Sequence, residues 1–286
     1  MHEPPNVYLS LPGRPEYIVV VRQALTGLAS VLGLDAIETN DLNTAVTEAC
    51  NNVVMHAYAG EPGPMTVEVQ IGAEAIVATV RDHGIGMGTA RARAAGAPDA
   101  GAQAHDAGAP VGMGLAVIEA LARRTRFGVP AGGGTEVHME FALREHKAFE
   151  PIAQEPPGAF SPASGAVAVR LAPSSLAAAI LPRVLSALAA RAYFSAERIA
   201  DVQALAGVLA ANAGDALSAG QLAVGVSIAP RKLTLQIGPL RAGRGERLVV
   251  AGADGLAPVI ERLTNAQRVA PAASGETLEL DLVDGR

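Results

Sequence analysis

The chain has 286 residues, of which half are apolar and 17% charged, with a formal net charge of −6. This composition excludes a disordered polyelectrolyte, and the acidic balance argues against a duplex-binding or anionic-membrane surface, which needs a concentrated basic face. A length about twice that of a common ~100–150-residue domain leads us to expect two domains.

Reading from the start, Met-His-Glu-Pro-Pro lacks the basic and apolar blocks of a secretory signal. Asn6 to Leu11 alternates like a short strand, and Pro12-Gly13-Arg14-Pro15 punctuates it before an apolar-periodic helix from Glu16 to about Leu32. A second helix is predicted over Ile37 to Tyr58, with Ala45, Val46, Ala49, Val53 and Val54 as its buried stripe. Gly60-Glu61-Pro62-Gly63-Pro64 ends it. Met65–Ile71 and Ala75–Arg81 are rich in β-branched residues and read as a hairpin joined near Gly72-Ala73. Met87 to Val111 is a long Gly/Ala/Pro/Asp loop, followed by a helix over Gly114–Arg124 and strands over Thr125–Val129 and Thr135–Leu143. The expected fold class is α+β, with helices on one face of a mixed or antiparallel sheet.

Residues 144–165, with Pro151, Pro156, Pro157 and Pro162, read as a linker between domains over 1–143 and 166–286. The second half echoes the first. Val167, Leu171, Leu185, Leu188, Asp201 and Asn212 each lie 160 residues beyond Val7, Leu11, Leu25, Leu28, Asp41 and Asn52. Later blocks recur in order, so we expect a degenerate tandem copy. Its most apolar stretch, Leu176 to Phe194, is interrupted by Pro182, Arg183 and Arg191 and falls short of the ~20 apolar residues of a membrane span. Cys50 is the only cysteine, so no intramolecular disulfide forms, and a soluble, cytoplasmic protein is expected.

Glu48, Asn52 and His56 fall at i, i+4 and i+8 on the second helix, a polar face opposite the apolar stripe. A carboxylate and a carboxamide one turn apart suit phosphate chemistry, the amide oxygen ligating a hard cation such as Mg²⁺ and the carboxylate orienting an attacking hydroxyl. A solvated helix face has the same pattern. Asp82-His83-Gly84-Ile85-Gly86 follows a strand, where glycines allow close approach to a ligand. Gly112-Met113-Gly114-Leu115 opens a helix, where free N–H groups favour a phosphate. Gly132-Gly133-Gly134-Thr135 precedes the closing strand and reads alone as a β-turn.

Taken together and in this order, the four features resemble the GHKL or Bergerat ATPase superfamily, whose fold is a two-layer α/β sandwich of the histidine-kinase-like type. Pro12-Gly13-Arg14-Pro15-Glu16-Tyr17 and the run from Thr47 to Tyr58 look most like the bacterial anti-sigma factor serine kinases. This resemblance covers about residues 5–143. It implies Glu48 as general base, Asn52 as Mg²⁺ ligand, Asp82 as reader of the adenine amino group, and Gly84 and Gly86 beside the base. It further implies Gly112 and Gly114, with Met113 and Leu115, at the triphosphate, 87–111 as an ATP lid, and Thr135 supporting adenine. His56 is grouped with these cofactor-side residues. The implied partners are a sigma factor, held away from polymerase, and a STAS-domain anti-anti-sigma protein phosphorylated on serine; Arg14 resembles a partner-binding residue. Direct nucleic-acid and membrane contacts are not expected.

The second half departs from the pattern. Val208 stands at the equivalent of Glu48, no Asp-x-Gly-x-Gly follows Ile237, and Glu276 replaces Thr135. The resemblance therefore implies a copy without a nucleotide site, occupying the second-subunit position as an intramolecular pseudo-dimer. Two other readings bear on function: a nucleotide-gated binding protein without kinase activity, and a sensor histidine kinase fragment, for which no upstream phospho-acceptor helix is seen.

Overall fold

The computed structural model describes residues 5–58, 61–86, 113–130, 132–143, 167–217, 220–246, 257–272 and 275–285. The expected lid over 87–111, Gly112 and the expected linker over 144–165 lie outside them.

Alternation of buried and half-buried side chains makes Val7–Pro12 a one-faced strand, β1. A short 3₁₀ turn, Pro15–Tyr17, leads into helix α1, Ile18–Leu32, which stops at Gly33 in the left-handed conformation. Asp35 then starts helix α2, Ala36–Asn52, through a capping box: its carboxylate accepts from Ile37 N and Glu38 N at 2.8 Å, and Glu38 Oε2 accepts from Asp35 N at 3.0 Å. The expected helix to Tyr58 changes character at its end, because Val53–Ala57 is a π-helical turn. Hairpin β2, Pro64–Ile71, and β3, Ala75–Asp82, matches the sequence reading closely. Helix α3, Met113–Leu121, precedes β4, Arg124–Gly128, and β5, Glu136–Ala142.

From Val167 the same order recurs. Strand β6, Val167–Leu171, is followed by a 3₁₀ turn at Ser174–Leu176 and by helices α4, Ala177–Arg191, and α5, Ala196–Ala216. Hairpin β7, Leu222–Ala229, and β8, Lys232–Leu240, comes next, then helix α6, Ala257–Leu263, and strands β9, Ala266–Ala272, and β10, Gly275–Val283. Among the described residues the ten strands form one sheet in the order β4-β5-β3-β2-β1-β6-β7-β8-β10-β9. Every neighbouring pair is antiparallel, which resolves the expected mixed or antiparallel sheet in favour of the latter.

The helices line one face of this sheet, and one continuous apolar core joins both halves. Contrary to the sequence expectation, the 174–191 stretch that contains helix α4 is long and apolar enough by length and composition to cross a membrane. Here Ile180, Leu181, Val184, Leu185 and Leu188 are fully buried, and the helix packs against α1 and α5. Cys50 lies on α2 between Glu48 and Asn52, and complete burial pushes its thiol pKa up to about 12. Cys50 is accordingly expected to resist a thiol reagent at pH 8 and to react only when denaturant opens the helix layer; stopped labelling across a urea titration checks this.

Candidate nucleotide site

Three elements converge at the end of the amino-terminal sheet. Glu48 and Asn52, both half-buried, project from the last turn of α2 toward the start of α3. A Cβ built on Gly114 would stand 3.1 Å from Glu48 Oε2 and 3.5 Å from Asn52 Oδ1. The absent side chain thus leaves a cradle between two oxygen donors and the amino-terminal turn of a helix, where backbone N–H groups favour an anion. Asn52 Nδ2 is buried without a hydrogen-bond partner, as is Thr47 Oγ1 one turn earlier. Buried polar atoms are nearly always satisfied, so an orphaned NH₂ donor at the edge of the cradle calls for an acceptor there, such as a phosphate oxygen. Oxygen donors of this kind suit a hard cation that completes its shell with phosphate oxygens, and among the described residues no cluster of three or more His, Cys, Asp or Glu offers a self-contained metal site.

The second wall is the turn after β3. Asp82 is 2% exposed, and its Oδ1 accepts from Gly84 N at 2.8 Å and Thr135 N at 3.2 Å, while Asp82 N donates to Thr135 O at 2.9 Å. One carboxylate therefore ties the Asp-x-Gly turn to the strand bearing Thr135, which is itself buried. The turn is clamped to the π-helical turn that follows α2 by Ile85 N donating to Ala57 O at 2.9 Å. Gly84 lies so close to that carbonyl that a Cβ would sit 2.0 Å from Ala57 O. Gly134, at φ +90°, likewise leaves no room, a Cβ falling 2.2 Å from Asp82 O. Gly86 sits beside Gly134 O, completing the same corner.

Gly84→Ala is expected to destabilise the fold by about 1–3 kcal/mol, since rigid backbone must move. Gly207→Ala, in the interior of α5 with open space around it, is expected to stabilise by about 0.5–1 kcal/mol. Thermal denaturation of the two variants checks the opposite signs.

The remaining sequence-predicted residues divide. Leu115 turns into the core and anchors α3, and Met113 opens that helix. His56 departs from the expected face: the π-helical turn from Val53 breaks the 3.6-residue spacing that would carry the Glu48–Asn52 line onto it, and its side chain is exposed. Arg14 is at the entry to α1, half-exposed, with Nη1 4.0 Å from Glu16 Oε1. Tyr58 is a positioning residue that the sequence reading leaves without a role. Its ring packs on Gly63, its hydroxyl donates to Pro64 O, and the same oxygen accepts from His83 N at 2.9 Å. Burial pushes this phenol's pKa up, keeping the donor protonated.

The second half does not repeat this constellation. Strand register puts Pro239 at the ladder step held by Asp82, since Leu11 pairs Met65 and Met65 pairs Asp82, while Leu171 pairs Leu222 and Ala223 pairs Gly238. Asn212 Nδ2 is consumed within its own helix by Val208 O at 2.8 Å. Glu276 accepts from Gly243 N at 2.9 Å and Gly245 N at 3.0 Å, filling the corner with its own carboxylate.

Residues 11–141 match the model of the histidine kinase-like ATPase domain. The chain is 32% identical over 143 residues to the serine-protein kinase RsbW of Bacillus pumilus, spanning 49% of this chain and 87% of that one. It is 40% identical over 85 residues to the protein of the same name from Listeria innocua, covering 29% of this chain and 53% of that one. The Bacillus licheniformis RsbW is 29% identical over 127 residues, 44% of this chain and 79% of the relative. With the Glu48–Asn52 pair, the Asp82 turn and the Gly114 cradle in one corner of an antiparallel α/β sandwich, the chain belongs to the RsbW-like family of GHKL, histidine kinase-like ATPase domains.

Proposed function

We propose that this chain is an ATP-dependent protein serine kinase that also sequesters a sigma factor, transferring phosphate to a STAS-domain anti-anti-sigma partner. The observation that carries this reading is the meeting of Glu48 and Asn52 at Gly114, beside the buried Asp82. Asp82 would accept from the adenine amino group while its other bonds hold the turn. Asn52 would supply an oxygen to Mg²⁺, which when bound neutralises charge on the phosphates. Glu48 would orient the attacking serine hydroxyl and take its proton. Relatives named serine-protein kinases support the reaction class.

The second half, with Val208, Pro239 and Glu276 at the three decisive positions, is proposed to bind no nucleotide. One ATP per chain is therefore expected by calorimetry in the presence of Mg²⁺, followed by transfer of labelled γ-phosphate to a STAS protein encoded nearby. Binding without transfer would replace the kinase by a nucleotide-gated binding protein, and absence of binding would overturn the reading.

A further inference from the structure

Strands β1 and β6 join the halves, and their register is centred on Leu9 opposite Val169. These two residues are also 160 apart, the offset that relates the halves in sequence. The seam therefore has the geometry of a two-fold interface, in which every contact should occur twice with the partners exchanged. Two arginine contacts among the described residues do not. Arg170 lies over the Tyr8 ring at 3.9 Å, but the image of that pair is Ser10 opposite Ala168. Arg191 lies over the Tyr17 ring at 4.3 Å and donates to Glu16 Oε1 at 3.2 Å, whereas the images are Val31, Ala177 and Leu176.

The consequence follows by exchanging halves. Two first halves paired through β1 would set Ser10 against Tyr8 and Val31 against Glu16 and Tyr17, with no cation supplied from across the seam in either place. Two second halves would leave Arg170 and Arg191 facing Ala168, Leu176 and Ala177, with no ring or carboxylate. Only a first half joined to a second half gives both arginines an aromatic face. The helices add closeness: a Cβ on Gly27 of α1 would fall 2.6 Å from Ala179 O of α4. The β1 edge, the natural point for pairing with another copy, is already filled.

We propose that these two arginine–aromatic pairs make the seam selective for the chain's own two halves, so that the second half takes the place of a second copy and the protein works as a one-chain pseudo-dimer. This holds whether or not the amino-terminal corner binds nucleotide.

The test is made on the full chain carrying a protease cleavage sequence inserted between residues 150 and 160. Light scattering should give one 29.0 kDa chain before cutting. After cutting, the two fragments should remain together one to one at micromolar concentration. In the cut protein, Arg170→Ala with Arg191→Ala should weaken association of the fragments by about tenfold. Glu16→Arg should weaken it too, and adding Arg191→Glu should restore part of the loss, a rescue that general damage to the fold would not produce. A two-copy species of the uncut chain, fragments that part on cutting, an arginine variant that associates as tightly as the parent, or a charge swap without rescue would each overturn the proposal.

Discussion

Replacement of Glu48 by alanine is expected to slow serine phosphorylation of the STAS partner by about 10²–10⁴-fold, the usual contribution of a positioned base. ATP affinity should stay within about threefold, because the carboxylate would face the attacking serine hydroxyl rather than the adenine corner. The assignment rests on geometry: Glu48 Oε2 stands at the Gly114 cradle, whereas Asp82 is on the opposite wall, bonded to Gly84 and Thr135. The half-buried position of Glu48 on α2 makes a folding defect a minor concern, and Cys50 two residues on gives a direct control for helix integrity. Rapid-quench transfer assays beside calorimetry separate the two quantities. Transfer at the parental rate would remove Glu48 from the chemistry, and a large loss of ATP affinity would recast it as a binding residue.

Asp82→Asn is expected to weaken ATP binding by about 1–3 kcal/mol, the cost of losing a charge-assisted hydrogen bond at a buried site. The carboxamide oxygen still accepts from Gly84 N and Thr135 N, so the turn and the β3–β5 junction are kept. Its NH₂ group, however, would confront the adenine amino group donor to donor. Asp82→Ala should be worse in a different way, since it strands the buried Thr135 N–H and the half-buried Gly84 N–H and lowers stability as well as affinity. The pair of variants is informative together: Asn should lower affinity at nearly constant melting temperature, and Ala should lower both. Unchanged nucleotide affinity in Asp82→Asn would place adenine elsewhere.

Much of the fold was legible from local rules. The β2–β3 hairpin follows from β-branched runs around Gly72, and the α1–α2 break from Gly33 with the Asp35 and Glu38 cap. The candidate site was legible as separate pieces, because Glu48 and Asn52 share a helix turn and Asp82 directly ends a strand. His56 was not, since a π-helical turn depends on how the helix end meets Ala57 and Ile85, not on residue spacing within α2. Tyr58 was missed for the same reason: its partners Gly63, Pro64 and His83 are brought to it by the hairpin's return.

By itself the sequence determined the order and kind of the elements, the identity of the polar residues at the candidate corner, and the 160-residue echo between the halves. These depend on periodicity, capping and backbone freedom, which act over a few neighbouring residues. Tertiary structure decided that Glu48 and Asn52 meet Gly114, that Asp82 binds the backbone of Thr135 53 residues away, and that β1 is paired on both edges, by β2 and β6. It also decided that the seam is two-fold in backbone and one-sided in its arginines. Those outcomes come from strand register and helix packing between distant segments, where burial of one common core selects which surfaces touch.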